Sequence, residues 1–159
     1  MTLFEKSPFT LTLILTIASF IFGCGSIKNS PKKTGTGDTR TENVEFYDNK
    51  TYLLTKTAAD SSYGFTSENP VCVGGIKDEN AIAPTYYYMN ALQGPNGEKI
   101  KFFRYGSCCS FDTPNGIIGN GGLLDRYGIY WEDSDTLSLF INIYDEGNLF
   151  VPIGLKSKK

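Results

Sequence analysis

Residues 137–144, LSLFINIY, carry the strongest structural signal in the chain: Leu137, Leu139, Ile141 and Ile143 alternate with Ser138, Phe140, Asn142 and Tyr144. Successive side chains of a strand point to opposite faces, so a period of two predicts a half-covered β-strand. Upstream, LLDRYGIYW (123–131) puts Tyr127, Ile129 and Trp131 on one face of a second strand, and EDSD (132–135) is the turn between them. Downstream, DEGN (145–148) turns into LFVPIGL (149–155), where Pro152 cannot donate to a ladder and predicts an edge strand. Strands joined by such short connections predict an antiparallel β-meander at the C-terminal end.

The front half reads less regularly. TYLLTK (51–56), NPVCVGG (69–75) and KIKFFRYGSC (99–108) each predict a strand. In PTYYYMNALQGPNGE (84–98), Tyr88, Met89 and Leu92 have helical spacing and Gly94-Pro95 is a helix stop, whereas three consecutive tyrosines favour a strand with GPNG as its hairpin turn. The helix is the preferred reading. The expected fold is α+β and β-rich, a small single domain with a C-terminal antiparallel meander and one short helix.

Residues 9–22, FTLTLILTIASFIF, carry no charge and follow a head holding Glu5 and Lys6. A bilayer core of about 30 Å needs about 20 apolar residues, so this run is too short to span and fits the core of a secretory signal. Ile21, Phe22 and Gly23 then precede Cys24. This resembles the lipobox of bacterial lipoproteins, an aliphatic residue at minus three and a small one at minus one before the cysteine that is lipidated. The resemblance implies residues 1–23 as signal peptide and acyl chains (palmitate) on Cys24. Two or more such chains anchor stably, at about 0.8 kcal/mol per buried methylene. The implied location is the outer membrane, facing the periplasm.

From 25 to 43 the chain reads GSIKNSPKKTGTGDTRTEN, too poor in apolar side chains to offset its ordering entropy. Residues 24–43 are therefore read as the lipidated cysteine and a flexible tether, with an end-to-end distance of roughly 24 Å. Residues 44–155, rich in aromatics, form the globular domain, and 156–159, KSKK, a basic tail. About 110 residues make one domain that buries roughly two-thirds of its unfolded surface.

The chain has 15 basic and 17 acidic residues and no histidine. The charge balance argues against nucleic acid as a partner, because counterion-releasing contacts need clustered Lys and Arg. The missing imidazole removes Ser-His-Asp and Cys-His machinery, HExxH zinc sites and the His-bearing zinc-deaminase motif.

Residues 104–127, RYGSCCSFDTPNGIIGNGGLLDRY, set two adjacent cysteines against a glycine-rich loop. Neither phosphate-cradle pattern is complete. In G-x-G-x-x-G, Leu124 stands where the third glycine belongs, and in the P-loop pattern Gly122 replaces the lysine. Outside the cytoplasm oxidation is expected, leaving three readings open: Cys72 bonded to Cys108 or Cys109, a Cys108–Cys109 bond, or reduced and buried thiols. A catalytic alternative would group Cys109, Asp112 and Asp125 around the loop, but nothing nearby would generate a thiolate. The acids Glu132, Asp133 and Asp135 share one turn without calcium-loop spacing, so no metal or other cofactor is expected. Among the aromatics, Tyr86, Tyr87, Tyr88, Tyr130 and Trp131 either present stacking faces to a sugar or peptide or cover the sheet.

NPVCVGG (69–75), NALQGPNGEKI (90–100), GSCCSFDTPNGIIGNGGLLDRY (106–127) and INIYDEGNLFVPIG (141–154) together resemble a family of small Gram-negative lipoproteins. The resemblance covers most of the folded domain and is most specific at GPNGE and GSCC. Some relatives carry the label 2-dehydro-3-deoxyphosphooctonate aldolase. A (β/α)₈ barrel takes about 250 residues and a repeating βα pattern, neither of which this domain has. The expected function is a membrane-anchored envelope protein, held by acyl chains on Cys24, that binds a protein or glycan partner without catalysis. An enzyme around the Cys-Cys and glycine loop is the alternative.

Overall fold

The computed structural model describes residues 43–159 together with Gly35. The signal peptide, Cys24 and the rest of the tether lie outside the described residues. The elements in chain order are β1 (Phe46–Asp48), β2 (Thr51–Tyr52), β3 (Val71–Cys72), α1 (Ala83–Ala91), β4 (Leu92–Gln93), β5 (Lys101–Asp112), β6 (Gly121–Tyr130), β7 (Leu137–Asn142) and β8 (Lys156–Ser157). The main sheet has four strands in the order β3-β7-β6-β5, and two small two-stranded sheets, β1-β2 and β4-β8, flank it. The domain is β-rich with one short helix, as the patterns predict.

The meander is formed by β5, β6 and β7, which pair antiparallel in sequence order. It sits one strand earlier than the turn signals suggest. LFVPIGL does not pair back onto β7; Val151 instead bridges Thr57 in parallel, and the edge beside β7 is taken by β3, running parallel to it. A turn motif fixes only that the chain reverses. Which strand occupies the vacant edge depends on side-chain packing, and Val71 and Val73 are almost wholly buried there.

Alternation on β6 and β7 builds the core. Tyr127, Ile129, Leu139 and Ile141 point inward and meet Val71, Val73, Tyr88 and Met89. Gly64 lets the loop before β3 approach β7 closely. Its φ is +77°, a Cβ there would lie 2.8 Å from Leu139 Cδ1, and its carbonyl accepts the Phe140 N–H at 2.7 Å. Helix α1 begins with a proline in its first turn, which costs no intrahelical hydrogen bond. The helix ends as Leu92 turns extended, and Gly94 N–H bonds the Glu98 carbonyl at 2.9 Å. Both readings of this stretch thus hold in part: the tyrosines are helical and GPNG is a tight turn.

The C-terminal lysines are not a free tail. Lys156 and Ser157 form β8 against β4, Ser157 Oγ donates to the Leu54 carbonyl at 2.8 Å, and Lys158 N–H donates to the Ala91 carbonyl at 2.9 Å. The backbone ladder and the buried Leu155 hold this segment, and lysine composition alone does not reveal either.

Candidate functional site

The long β5–β6 hairpin carries most of the residues singled out from the sequence. β5 is an edge strand of 12 residues interrupted by two register shifts, between Arg104 and Gly106 and between Cys108 and Ser110. Each is a bulge, leaving Tyr105 and Cys109 without a partner on β6; bulges twist an edge and blunt its pairing with other chains. At Cys109 the backbone adopts a left-handed φ of 54°. The second bulge holds the disulfide. Cys108 and Cys109, with Cα atoms 3.8 Å apart, are bonded to each other, and Cys72 on β3 is outside any disulfide. Of the three readings left open, this geometry agrees with the vicinal pair: the bulge breaks the alternation that would otherwise send adjacent side chains to opposite faces, and brings Cys108 and Cys109 together.

Asp125 faces inward from β6. Arg104 Nη2 donates to Asp125 Oδ1 at 2.6 Å and to Ser107 Oγ at 2.7 Å, and Ser107 Oγ donates to the same carboxylate oxygen at 3.0 Å. The hydrogen bond to Asp125 pushes the Arg104 guanidinium further up its already high range. Beside this group Tyr127 is buried, its hydroxyl without a hydrogen-bond partner, and desolvation followed by the Asp125 charge pushes its phenol up to about 12. The three weak catalytic candidates are spread along the hairpin. Asp125 is committed to Arg104, Cys109 to the disulfide, and Asp112 ends β5 opposite Gly121.

The glycine-rich loop is held by a different carboxylate. Asp145, completely buried, accepts hydrogen bonds from Thr113 Oγ1, from Asn115 Nδ2 at 3.2 Å and from Asn142 Nδ2 at 3.0 Å, while Asn142 Oδ1 accepts the Asp145 N–H at 3.0 Å. One side chain thereby pins the loop after β5 to the turn after β7. The sequence offered no sign of this, since Asp145 sits in an ordinary-looking DEGN turn. Gly35 reaches the same place, its N–H bonded to the Asp112 carbonyl.

The aromatic candidates divide. Tyr88 is a core residue, 0 % exposed, whose hydroxyl donates to the Phe150 carbonyl at 2.8 Å; burial pushes its phenol well up. Trp131 packs against the core and Tyr87 meets Phe46 and Tyr52 edge-on. Tyr86 is exposed on α1, its ring edge-on to Phe102 at 5.5 Å. Tyr130 joins residues that sequence reasoning overlooked. On the outer face of the sheet Phe103 lies 4.8 Å from Tyr105 and 6.2 Å from Tyr130, and Arg126 Cζ sits 4.8 Å above the Tyr105 ring. Gly128 lies beneath: a Cβ there would be 2.6 Å from Phe103 Cζ and 3.0 Å from Tyr105 Cε2. The missing side chain makes room for the two rings, set edge-on to each other at 66°, and leaves them 44 % and 53 % exposed. Phe103 and Tyr105 occupy i and i+2 opposite a glycine, a signal readable only once strand register is known.

The turn acids Glu132, Asp133 and Asp135 are exposed, and among the described residues no group of three or more His, Cys, Asp or Glu side chains is arranged to hold a metal ion. A groove of about 1020 Å³, lined by no residue of the hairpin, brings Lys56 together with Lys156, Lys158 and Lys159. No described helix is long and apolar enough to cross a membrane. Comparison with profiles of known protein families, with curated proteins and with solved structures found no match to this chain.

Proposed function

We propose that this chain is an envelope lipoprotein, anchored through acyl chains on Cys24, whose domain is a non-enzymatic binding module that takes a glycan on the outer face of β5 and β6. One observation carries the choice of site: Phe103, Tyr105, Tyr130 and Arg126 form a contiguous patch, two of its rings about half exposed. Isolated exposed apolar residues need no explanation, but a contiguous aromatic patch beside a guanidinium does. Ring faces stack on the C–H face of a sugar, and the guanidinium supplies hydrogen-bond donors to its hydroxyls. A peptide partner is the second reading of the same patch, favoured by the enrichment of Tyr and Arg in protein interfaces.

Cross-linking in intact cells followed by pull-down tests the module. The wild-type chain is expected to recover one specific partner or glycan, and the pair Phe103→Ala and Tyr105→Ala to lose about thirtyfold in affinity per ring at an unchanged melting temperature, the scale of an aromatic hot spot of about 2 kcal/mol. Recovery of the same partner by the double variant overturns the assignment of the face. The anchor has its own test: radiolabelled palmitate should enter the wild-type chain and fail to enter Cys24→Ser, and equal labelling would remove the lipoprotein reading.

A further inference from the structure

The most exposed large apolar side chains of the domain are Ile117 and Ile118, at 69 % and 88 %, side by side at the tip of the loop joining β5 to β6. Isoleucine is unusual in such a place, because turn tips favour residues that water solvates well. The loop around them, residues 113–121 (TPNGIIGNG), has no charged residue. Its base is rigid: Asp145 holds Thr113 and Asn115, Thr113 N–H donates to the Asn120 carbonyl at 2.8 Å, and Gly121 N–H to the Ile118 carbonyl at 3.3 Å. The tip is thus a short apolar point on a fixed support. Nearby charge is set back from it, with Asp112 at the foot of the loop and Lys77 occupied by Asn115 Oδ1 at 2.7 Å.

The N-terminal arm arrives at this same end. Gly35 is bonded to the Asp112 carbonyl, and ten residues lie between it and Cys24. Even fully extended, that stretch spans at most about 40 Å. A lipid on Cys24 would hold Asp112, and with it the loop, within about that distance of the membrane. We infer that Ile117 and Ile118 dip into the acyl region of the membrane bearing the anchor, making the hairpin tip a second, weaker membrane contact. The inference rests on the lipoprotein reading. Phe103 lies nine residues up β5 from Asp112, two of the intervening residues being bulged, so the aromatic patch stands roughly 23 Å from the foot of the loop. Burying about half of each isoleucine would raise partitioning roughly tenfold per side chain.

The test uses the lipidated full-length protein in vesicles of pure phosphatidylcholine, so that charge plays no part. Ile118→Trp adds a reporter to the baseline of Trp131, the chain's one native tryptophan. Brominated acyl chains are expected to quench the added fluorescence by half or more, and aqueous iodide to leave it nearly untouched. Amide exchange across residues 116–120 should slow at least fivefold on the vesicles, and the pair Ile117→Ser and Ile118→Ser should lose that protection while floating with vesicles as before. Protein that floats but shows iodide-quenched, bromolipid-insensitive fluorescence overturns the inference and leaves the anchor standing. Protein that fails to float overturns the anchor itself. Protection seen only in native membrane fragments and never in protein-free vesicles assigns the tip to a protein partner and also overturns insertion.

Discussion

The two ends of the β5–β6 hairpin are held by opposite means. At the Phe103 end the inward face is buried by Tyr127 and Ile129, and the outward face lies open under two aromatic rings. At the glycine end the pattern inverts: Leu124 and Phe111, which belong to the outward set, are buried, whereas Leu123 on the other set is exposed. The covered face changes sides near Leu124 and Asp125, opposite the bulge and disulfide at Cys108 and Cys109. Apolar packing fixes one end, and at the other a buried carboxylate joins the buried Phe111 and Leu124. Packing tolerates small losses in proportion to area, whereas a polar pin fails all at once, because every donor it satisfied is left bare in a dry site.

That contrast can be broken most severely at Asp145. Asp145→Ala leaves Thr113, Asn115 and Asn142 without their shared acceptor, and should cost about 3 kcal/mol or more, lowering the melting temperature by roughly 10 °C. Urea denaturation measures the first, and a loss below about 1 kcal/mol would mean that water replaces the pin. The next effect belongs to the other end. Gly128→Val forces Phe103 and Tyr105 off the sheet, but since both rings are about half exposed and free to swing, stability should fall by only about 1–2 kcal/mol while binding on that face is lost. A variant as unstable as Asp145→Ala would show that the rings are structural.

A smaller change sharpens the point about unsatisfied polar groups. The Tyr127 hydroxyl is buried and unpartnered, so Tyr127→Phe should be neutral or stabilising by up to about 1 kcal/mol. Its folded pKa of about 12 lies above the ordinary value of 10.0, so the neutral phenol is the form the fold prefers. This contribution is complete below pH 10 and is lost as pH rises from 10 towards 12. The alkaline limb of a stability profile should therefore be shallower in Tyr127→Phe than in the parent chain. Least of all, Arg104→Ala removes an ion pair whose arginine is 42 % exposed, and about 0.5 kcal/mol is expected, shrinking further in 0.5 M salt by calorimetry.

Local signals in the sequence carried far. The alternation of Leu137, Leu139 and Ile141 marks β7, Tyr127 with Ile129 marks the inward face of β6, and Tyr88 with Met89 marks the buried side of α1. Each depends on spacing within one segment, which periodicity reports directly. The pairing of β3 with β7, the capture of Lys156 and Ser157 by β4, and the grouping of Phe103, Tyr105, Tyr130 and Arg126 were not legible, because each joins residues whose separation along the chain says nothing about their distance in space. Tyr86, Tyr88 and Trp131 looked alike as aromatic candidates and were sorted only by burial.

By itself, the amino-acid order determined a β-rich domain with one short helix, through the fixed geometries of strand, helix and turn. It also excluded every chemistry that needs an imidazole. Only the tertiary structure decided which face of the hairpin is open at each end, that adjacent cysteines close on one another, and that Asp145 reaches across to the glycine loop. Those outcomes follow from register and bulges, where a shift of one residue reverses the direction of every later side chain, and no short window of sequence contains that information.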